Sequence, residues 1–225
     1  MPLEILSKLQ KEILSIFSGV IESEEFYLTG GTALSAFYLM HRKSDDLDFF
    51  TDKEDIITTF SYRLESSLKA KQMTVRRQRS LHSFVELVTK KDNETTVIHL
   101  ALDTPFRIEQ TKEIMEYPEL KIDSLVDIAG NKLLALFGRA NLRDFIDVYF
   151  LVEKGKFTKN ELIEKSKMKD TGFDLYWLGV AFERINIFRE DSPEMLLLVE
   201  TIDFQNFLNF FNQWREEITK QLIHE

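Results

Sequence analysis

Asp46 and Asp48 stand two residues apart in the run Asp-Leu-Asp-Phe-Phe50, which otherwise reads as a β-strand. Successive strand side chains point to opposite faces, so both carboxylates share one face while Leu47 and Phe49 take the other. Carboxylates aimed at one point repel each other unless a cation stands between them. Hard oxygen donors suit Mg2+ or Mn2+, which keeps some waters and completes its shell with nucleotide phosphates. About fifteen residues upstream lies Gly30-Gly31-Thr32, a paired-glycine turn between a short apolar strand and a helix. Glycine lets an anion approach the backbone, and the N–H groups at a helix start are partly positive, so phosphate is the natural guest. Taken singly, the turn is only a tight turn and the aspartates only the wet face of an edge strand. Together, in this order and spacing, they describe a metal-dependent site for a nucleoside triphosphate.

The elements that must hold these groups can be read along the chain. Apolar residues Leu6, Leu9, Ile13, Ile16 and Phe17 recur at helical spacing over 3–17 and predict an amphipathic helix with a packing role ahead of the first strand. A strand over 26–28, the turn, a helix over 32–40 and the aspartate strand come next. Asp52 is placed to cap a helix over 53–70. Strands are expected over 73–79, 84–89 and 95–102, the last two joined by the polar hairpin turn Lys91-Asp-Asn-Glu94. Residues 113–121 read as an extended connector broken by Pro118. From Asp123-Ser124, read as a cap, the pattern turns helical: helices over 125–137 (closed by Gly138), from 142 onward, and over 159–168, 173–188, 193–201 and 204–223. In the last of these segments, Phe173, Tyr176, Trp177, Val180, Phe182, Phe188, Phe204, Phe207, Phe210, Phe211 and Trp214 form stripes that suit a core or a partner interface.

Composition narrows the class. A chain of 225 residues, 44 % apolar and 30 % charged, suits one or two globular domains with a sizeable core. The absence of cysteine excludes disulfides and thiolate chemistry and fits a cytoplasmic location. No apolar run is long enough for a membrane span, and Met1-Pro-Leu-Glu lacks the features of a signal peptide. A net charge of −9 argues against broad nucleic-acid binding but leaves room for a local basic groove. Lys69, Lys71, Arg76, Arg77 and Arg79 form the basic cluster of the N-terminal half, either a solvated face or a groove for triphosphate or RNA backbone.

Gly30-Gly31-Thr32-Ala33-Leu34, followed by Arg42-x-Ser44-x-Asp46-Leu47-Asp48-Phe49, resembles the polymerase-beta-type nucleotidyltransferase superfamily. More narrowly, it resembles the AbiEii/AbiGii toxin family of bacterial abortive-infection and toxin–antitoxin systems. The resemblance extends to Lys132-x-x-Ala135-Leu136 and Arg143-Asp144-x-x-Asp147-x-Tyr149-x-Leu151. It implies an α+β fold: a nucleotidyltransferase-like mixed sheet with flanking helices over 1–122, then a C-terminal helical bundle over 123–225 that completes the active-site cleft. The implied activity is transfer of a nucleotidyl group from a nucleoside triphosphate to an acceptor such as tRNA or another RNA, in a protein encoded beside a cognate antitoxin. Asp46 and Asp48 would hold Mg2+ (or Mn2+), and Gly30, Gly31 and Thr32 would seat the phosphates. Lys132 and Arg143 would bind the nucleotide, with Asp144 or Asp147 orienting it or assisting the base.

The same resemblance calls for a third carboxylate four residues before the ending Asp103-Thr-Pro105-Phe106, and His99 stands there instead. Imidazole is a poorer Mg2+ ligand than carboxylate but accepts a proton near neutral pH. Glu86 on the adjacent strand, or Asp103 about 13 Å further along, is the candidate to compensate; a half-buried His99 without a role is the alternative. Two rivals to RNA-directed transfer stay open: a catalytically weak relative that binds nucleotide or a partner, and transfer of the nucleotidyl group to a protein. For Arg143, Asp144 and Asp147 the competing reading is a surface salt bridge within one helix.

Overall fold

Four phenylalanines, three from regular elements and one just ahead of a strand, explain how the N-terminal half closes. In the computed structural model, which describes residues 5–103 and 106–224, Phe17 stacks on Phe49 with ring centroids 3.7 Å apart, and Phe60 lies 4.3 Å from Phe26. All four are buried, each worth roughly 1.5–3 kcal/mol of apolar transfer. Phe17 belongs to α1 (Lys8–Ser18), Phe49 to β2 (Asp46–Thr51) and Phe60 to α3 (Ile57–Ala70), while Phe26 immediately precedes β1 (Tyr27–Thr29). The strict alternation in β2, with Leu47, Phe49 and Thr51 buried and Asp46, Asp48 and Phe50 half-buried, turns one face toward these helices and leaves the acids on the other.

The chain divides into two compact units, Met1–Ser124 and Leu125–Glu225. The first carries one mixed sheet of seven strands in the order β3-β4-β5-β2-β1-β7-β6. Its remaining strands are β3 (Thr74–Leu81), β4 (Phe84–Lys91), β5 (Glu94–Leu102), β6 (Lys112–Ile114) and β7 (Tyr117–Ile122). The pairs β2/β5 and β1/β7 are parallel; β1/β2, β3/β4, β4/β5 and β6/β7 are antiparallel. The second unit consists of α4 (Leu125–Arg139), α5 (Leu142–Glu153), α6 (Lys159–Lys169), α7 (Leu175–Phe182) and α8 (Phe204–His224) with short 3-10 turns. Phe145, Phe182, Phe207, Phe211 and Trp214 are fully buried there, and Phe145 meets Phe211 edge-on at 4.8 Å. The expected fold class is the one observed. Among the described residues no helix is long and apolar enough to cross a membrane.

Several expected boundaries move, for physical reasons. The connector read over 113–121 is a hairpin whose β7 joins the sheet beside β1; Pro118 and the left-handed Glu119 (φ 66°) had masked its alternation. The helix read from Thr32 begins at Gly30 and runs as α2 (Gly30–Leu34), then continues with π geometry over Ser35–Leu39. Asp52 is no cap, because a 3-10 turn at Glu54–Ile56 precedes α3 and Ile56 takes the cap position. The helix read over 125–137 continues through Gly138 to Arg139. Residues 183–187 and 193–197 wind as 3-10 turns rather than α-helix. Of the aromatic stripes, Tyr176 and Trp177 face solvent. The start of the first expected helix, including Leu3, lies outside the described residues.

Helix α1 is tied to the sheet at its first turn. Ser7 forms a capping box with Gln10, and Glu94, at the β4–β5 turn, accepts from the Ser7 hydroxyl and the Leu9 N–H, both at 2.7 Å. These bonds hold the Glu94 carboxyl below its usual range. A lowered folded-state pKa stabilises the fold above the unfolded glutamate's pKa and is lost as pH falls through the folded value. Glu94→Gln is therefore expected to cost about 1 kcal/mol at neutral pH. In parallel urea melts, the gap from wild type should close below the ordinary glutamate range; a gap that persists there would mean the contact does not act through charge.

Candidate active site

Strand β1 ends at Thr29, paired with Asp48 of β2, and the chain turns at once through Gly30 in the left-handed region (φ 74°). A Cβ built on Gly30 would stand 2.1 Å from Asp48 Oδ2, so the carboxylate fills the space that a side chain would take. The second glycine has a different wall: a Cβ on Gly31 would meet Arg42 Nη2 at 2.7 Å and Ser44 Oγ at 3.0 Å. Thr32 Oγ1 donates to the Asp46 carbonyl, which binds the turn to the acid strand. The double glycine and the acid pair, separate motifs in the sequence, are thus in direct contact.

Across the sheet from Asp48 runs a row of polar side chains. His99 of β5 is in register with Asp48, and Glu86 of β4 is in register with His99. An ionised carboxylate can only accept, so His99 Nδ1–H donates to Asp48 Oδ1 at 2.8 Å, while Nε2 lies 3.7 Å from Glu86 Oε2. Burial by itself lowers the His99 pKa, but the hydrogen bond and charge of Asp48, with the charges of Asp46 and Glu86, outweigh it and raise the value above an ordinary histidine's. Asp103 is engaged elsewhere: it accepts from the Tyr27 hydroxyl, and its N–H donates to the Thr51 carbonyl at 2.8 Å. Thr104 and Pro105 of the same expected motif lie outside the described residues.

Among the described residues, no group of three or more His, Cys, Asp and Glu side chains is arranged to hold a metal ion. What the chain offers is narrower and fits Mg2+: two half-buried carboxylates on one strand face, one of them pressed on a glycine turn. That ion characteristically draws its remaining ligands from water and phosphate.

In the helical unit, Lys132 of α4 and Asp147 of α5 form an ion pair at 2.8 Å with the carboxylate fully buried. The surface salt bridge considered for Asp147 is therefore excluded; its carboxylate is a core group. Asp144 is also buried and accepts both Nε and Nη2 of Arg139, at 2.8 and 2.7 Å, while capping α5 with Asn141. Arg143 is exposed. A further buried pair, Lys169–Asp127 at 2.6 Å, joins α6 to α4.

Arg42 and Ser44 are parts of the turn that the motifs alone did not mark, although both fall within the matched pattern. The signal was Gly31 itself, a second glycine at a turn that needs only one. Asp123, read with Ser124 as a helix cap, accepts from the Thr29 hydroxyl at 2.8 Å and pairs with Arg107.

A paired-glycine turn pressed on an Asp-x-Asp strand in the middle of a mixed sheet defines the nucleotidyltransferase class. The family model described as "Nucleotidyl transferase AbiEii toxin, Type IV TA system" matches residues 12–217, and the chain belongs to that family of nucleotidyltransferases. The Aquifex aeolicus (strain VF5) protein aq_aa25 is 33% identical over 177 residues, 75% of this chain and 78% of its own. JHP933 from Helicobacter pylori shares the fold with a TM-score of 0.60 at 20% identity, over 96% of this chain and 91% of that one. MenT4, a nucleotidyltransferase toxin from Mycobacterium tuberculosis H37Rv, does so with a TM-score of 0.54 at 14% identity, over 94% and 82%.

These contacts set the outcome of two substitutions. Gly30→Ala is expected to cost about 2 kcal/mol or more, through left-handed strain and displacement of the Asp48 carboxylate, visible as a lowered melting temperature. Lys132→Ala removes the 2.8 Å ion-pair partner of the buried Asp147 carboxylate and should cost about 3 kcal/mol. The double change Lys132→Met/Asp147→Leu should restore most of that stability; a double mutant no better than the single would show that Asp147 is satisfied without the lysine.

Proposed function

We propose that the enzyme transfers a nucleotidyl group from a nucleoside triphosphate to a hydroxyl of RNA, tRNA being the foremost candidate, as the toxin partner of a separate antitoxin in the cytoplasm. The single observation that supports this most is the Asp48 carboxylate lying against Gly30, because it sets an acidic pair beside a backbone suited to phosphate. In the reaction the acceptor oxygen bonds to the α-phosphorus, the bond from that phosphorus to the bridging oxygen of the β-phosphate breaks, and pyrophosphate leaves. Such chemistry demands alignment and charge neutralisation more than covalent help from the protein.

Gly30, Gly31 and Thr32 seat the leaving phosphates on backbone N–H groups. Asp46 and Asp48 would hold Mg2+ or Mn2+, which when bound neutralises phosphate charge and polarises the reacting oxygens. His99 orients Asp48 through Nδ1, in the way that outer-shell groups fix a ligating carboxylate. Its Nε2, when unprotonated, and the Glu86 carboxylate are the chain's own acceptors on that face for the hydroxyl proton. The family resemblance assigns Lys132 and Arg143 to the nucleotide, and within the helical unit Asp147 and Asp144 fix the charged side chains of α4.

His99 at the expected carboxylate position supports a second reading, a relative that binds nucleotide and turns it over slowly. Incubation with each labelled triphosphate, Mg2+ and total tRNA separates the readings. Label should move onto RNA, and Asp46→Ala or Asp48→Ala should lower the rate by at least about 1,000-fold. Binding without turnover, indifferent to Asp48→Ala, supports the weaker relative, and label on protein rejects the RNA acceptor.

A further inference from the structure

The basic cluster of the N-terminal unit divides between two faces of the sheet. Arg77 is in register with the buried Leu87 and reaches α3, donating to Ser61 at 2.9 Å and pairing with Glu65 at 2.8 Å; Lys69 shares that Glu65. Arg76 and Arg79 take the acid face. Residues three apart on a regular strand point to opposite faces, but β3 is irregular between Arg77 and Arg79, and the extra residue Gln78 restores the parity. The result is two continuous cross-strand rows, Asp48–His99–Glu86–Arg79 and Asp46–Val97–Val88–Arg76. A third row, Phe50–Ala101–Phe84–Leu81, runs alongside, and the Phe84 ring lies 5.5 Å from that of His99 at 31°.

From these rows we infer that the acceptor lies across the β5–β4–β3 face, and that this strip is built for a single-stranded nucleic-acid end. The inference rests on the proposed nucleotidyl transfer. Attack on phosphorus and departure of pyrophosphate are roughly in line. With the leaving phosphates on the Gly30–Gly31 turn, which flanks Asp48 on its β1 side, the attacking hydroxyl must arrive from the β5 side, over His99 and Glu86.

The chemistry of that approach favours nucleic acid over a protein side chain. Arg76 and Arg79 are exposed in a chain of net charge −9, and they stand three strand spacings, about 14 Å, from the acid pair. That reach suits phosphates upstream of the reacting end rather than the triphosphate. Between them lies the apolar row of Val88 and Val97, and on the other side of the His99–Glu86 row stands the half-buried Phe84 ring, a surface on which an unpaired base can stack. Glu86 at 4.0 Å is the ion-pair partner of Arg79, whose side chain is still 69% exposed, so its guanidinium remains open to phosphate.

The test uses the full chain without nucleotide. Fluorescence anisotropy with a labelled single-stranded 12-nucleotide RNA, competed by total tRNA, compares wild type with Arg76→Glu/Arg79→Glu, with Phe84→Ala, and with the control Lys220→Glu on α8. The charge reversal should weaken binding at least about ten-fold and flatten the dependence of log affinity on log salt by about 1–2. Phe84→Ala should weaken it about ten-fold with little change in salt slope, and the control should bind as wild type does. In turnover, the charge reversal should raise the KM for RNA more than it lowers kcat. Thermal melts matching wild type would assign these losses to the strip. RNA held equally by all variants, no RNA binding by wild type, or label passing to protein at a rate the reversal does not alter would each overturn the strip. RNA held through Arg76 and Arg79 without transfer would uphold it and reject only the transfer reading.

Discussion

The contact between the Asp48 carboxylate and the bare Cα of Gly30 is the constraint on which the site depends. It exists because β1 and β2 are antiparallel and place Thr29 opposite Asp48, so that a turn immediately after Thr29 must pass over the Asp48 side chain. Glycine leaves that passage open, and here it takes the left-handed φ at which this chain turns from strand into helix. Gly31 then clears Arg42 and Ser44 in the same way. The outcome is an acidic pair whose position relative to the helix start is set by backbone geometry rather than by long, adjustable side chains.

The sheet serves the site by separating two kinds of chemistry at one-residue spacing. One face of β2 supplies Leu47 and Phe49 to a phenylalanine core shared with α1 and α3, and this burial fixes the register. With the register fixed, the acids cannot leave the opposite face. The parallel neighbour β5 brings His99 level with Asp48, and β4 brings Glu86 level with His99. A shift of one residue on any of these strands would bury polar groups and expose apolar side chains, so the core enforces the polar row at a distance. In the helical unit, by contrast, Asp127, Asp144 and Asp147 are buried and each holds a cation from another position in the bundle. Those pairs tie α4 to α5 and α6.

Much of this was legible in residue order. The period of two in Asp46-Leu47-Asp48-Phe49 told the faces apart, and the glycine pair marked a strand-to-helix turn. The helical spacing of Leu9, Ile13 and Phe17 predicted α1. Other features were hidden by long-range contacts. Nothing local distinguishes Glu94 as a helix cap for residues 85 positions earlier in the chain, or reveals that Tyr117-Pro-Glu-Leu-Lys-Ile is a strand, since Pro118 and a left-handed Glu119 break its pattern. The competing reading of Asp147 as a surface partner for Arg143 arose because i,i+4 spacing is a property of one helix, whereas its burial against Lys132 is a property of two.

Sequence alone determined the chemical kinds present: carboxylates at strand spacing, glycines where a backbone must come close, a histidine in place of an expected acid, and no thiol. These are local facts, carried by side-chain type and by the fixed periods of helix and strand. Tertiary structure decided which of them touch. It pressed Asp48 on Gly30, hydrogen-bonded His99 to Asp48, turned Arg76 and Arg79 to one face through a single irregularity, and sent Arg77 to the other. Such contacts depend on register between segments far apart in the chain, and register is set by how the apolar faces pack together.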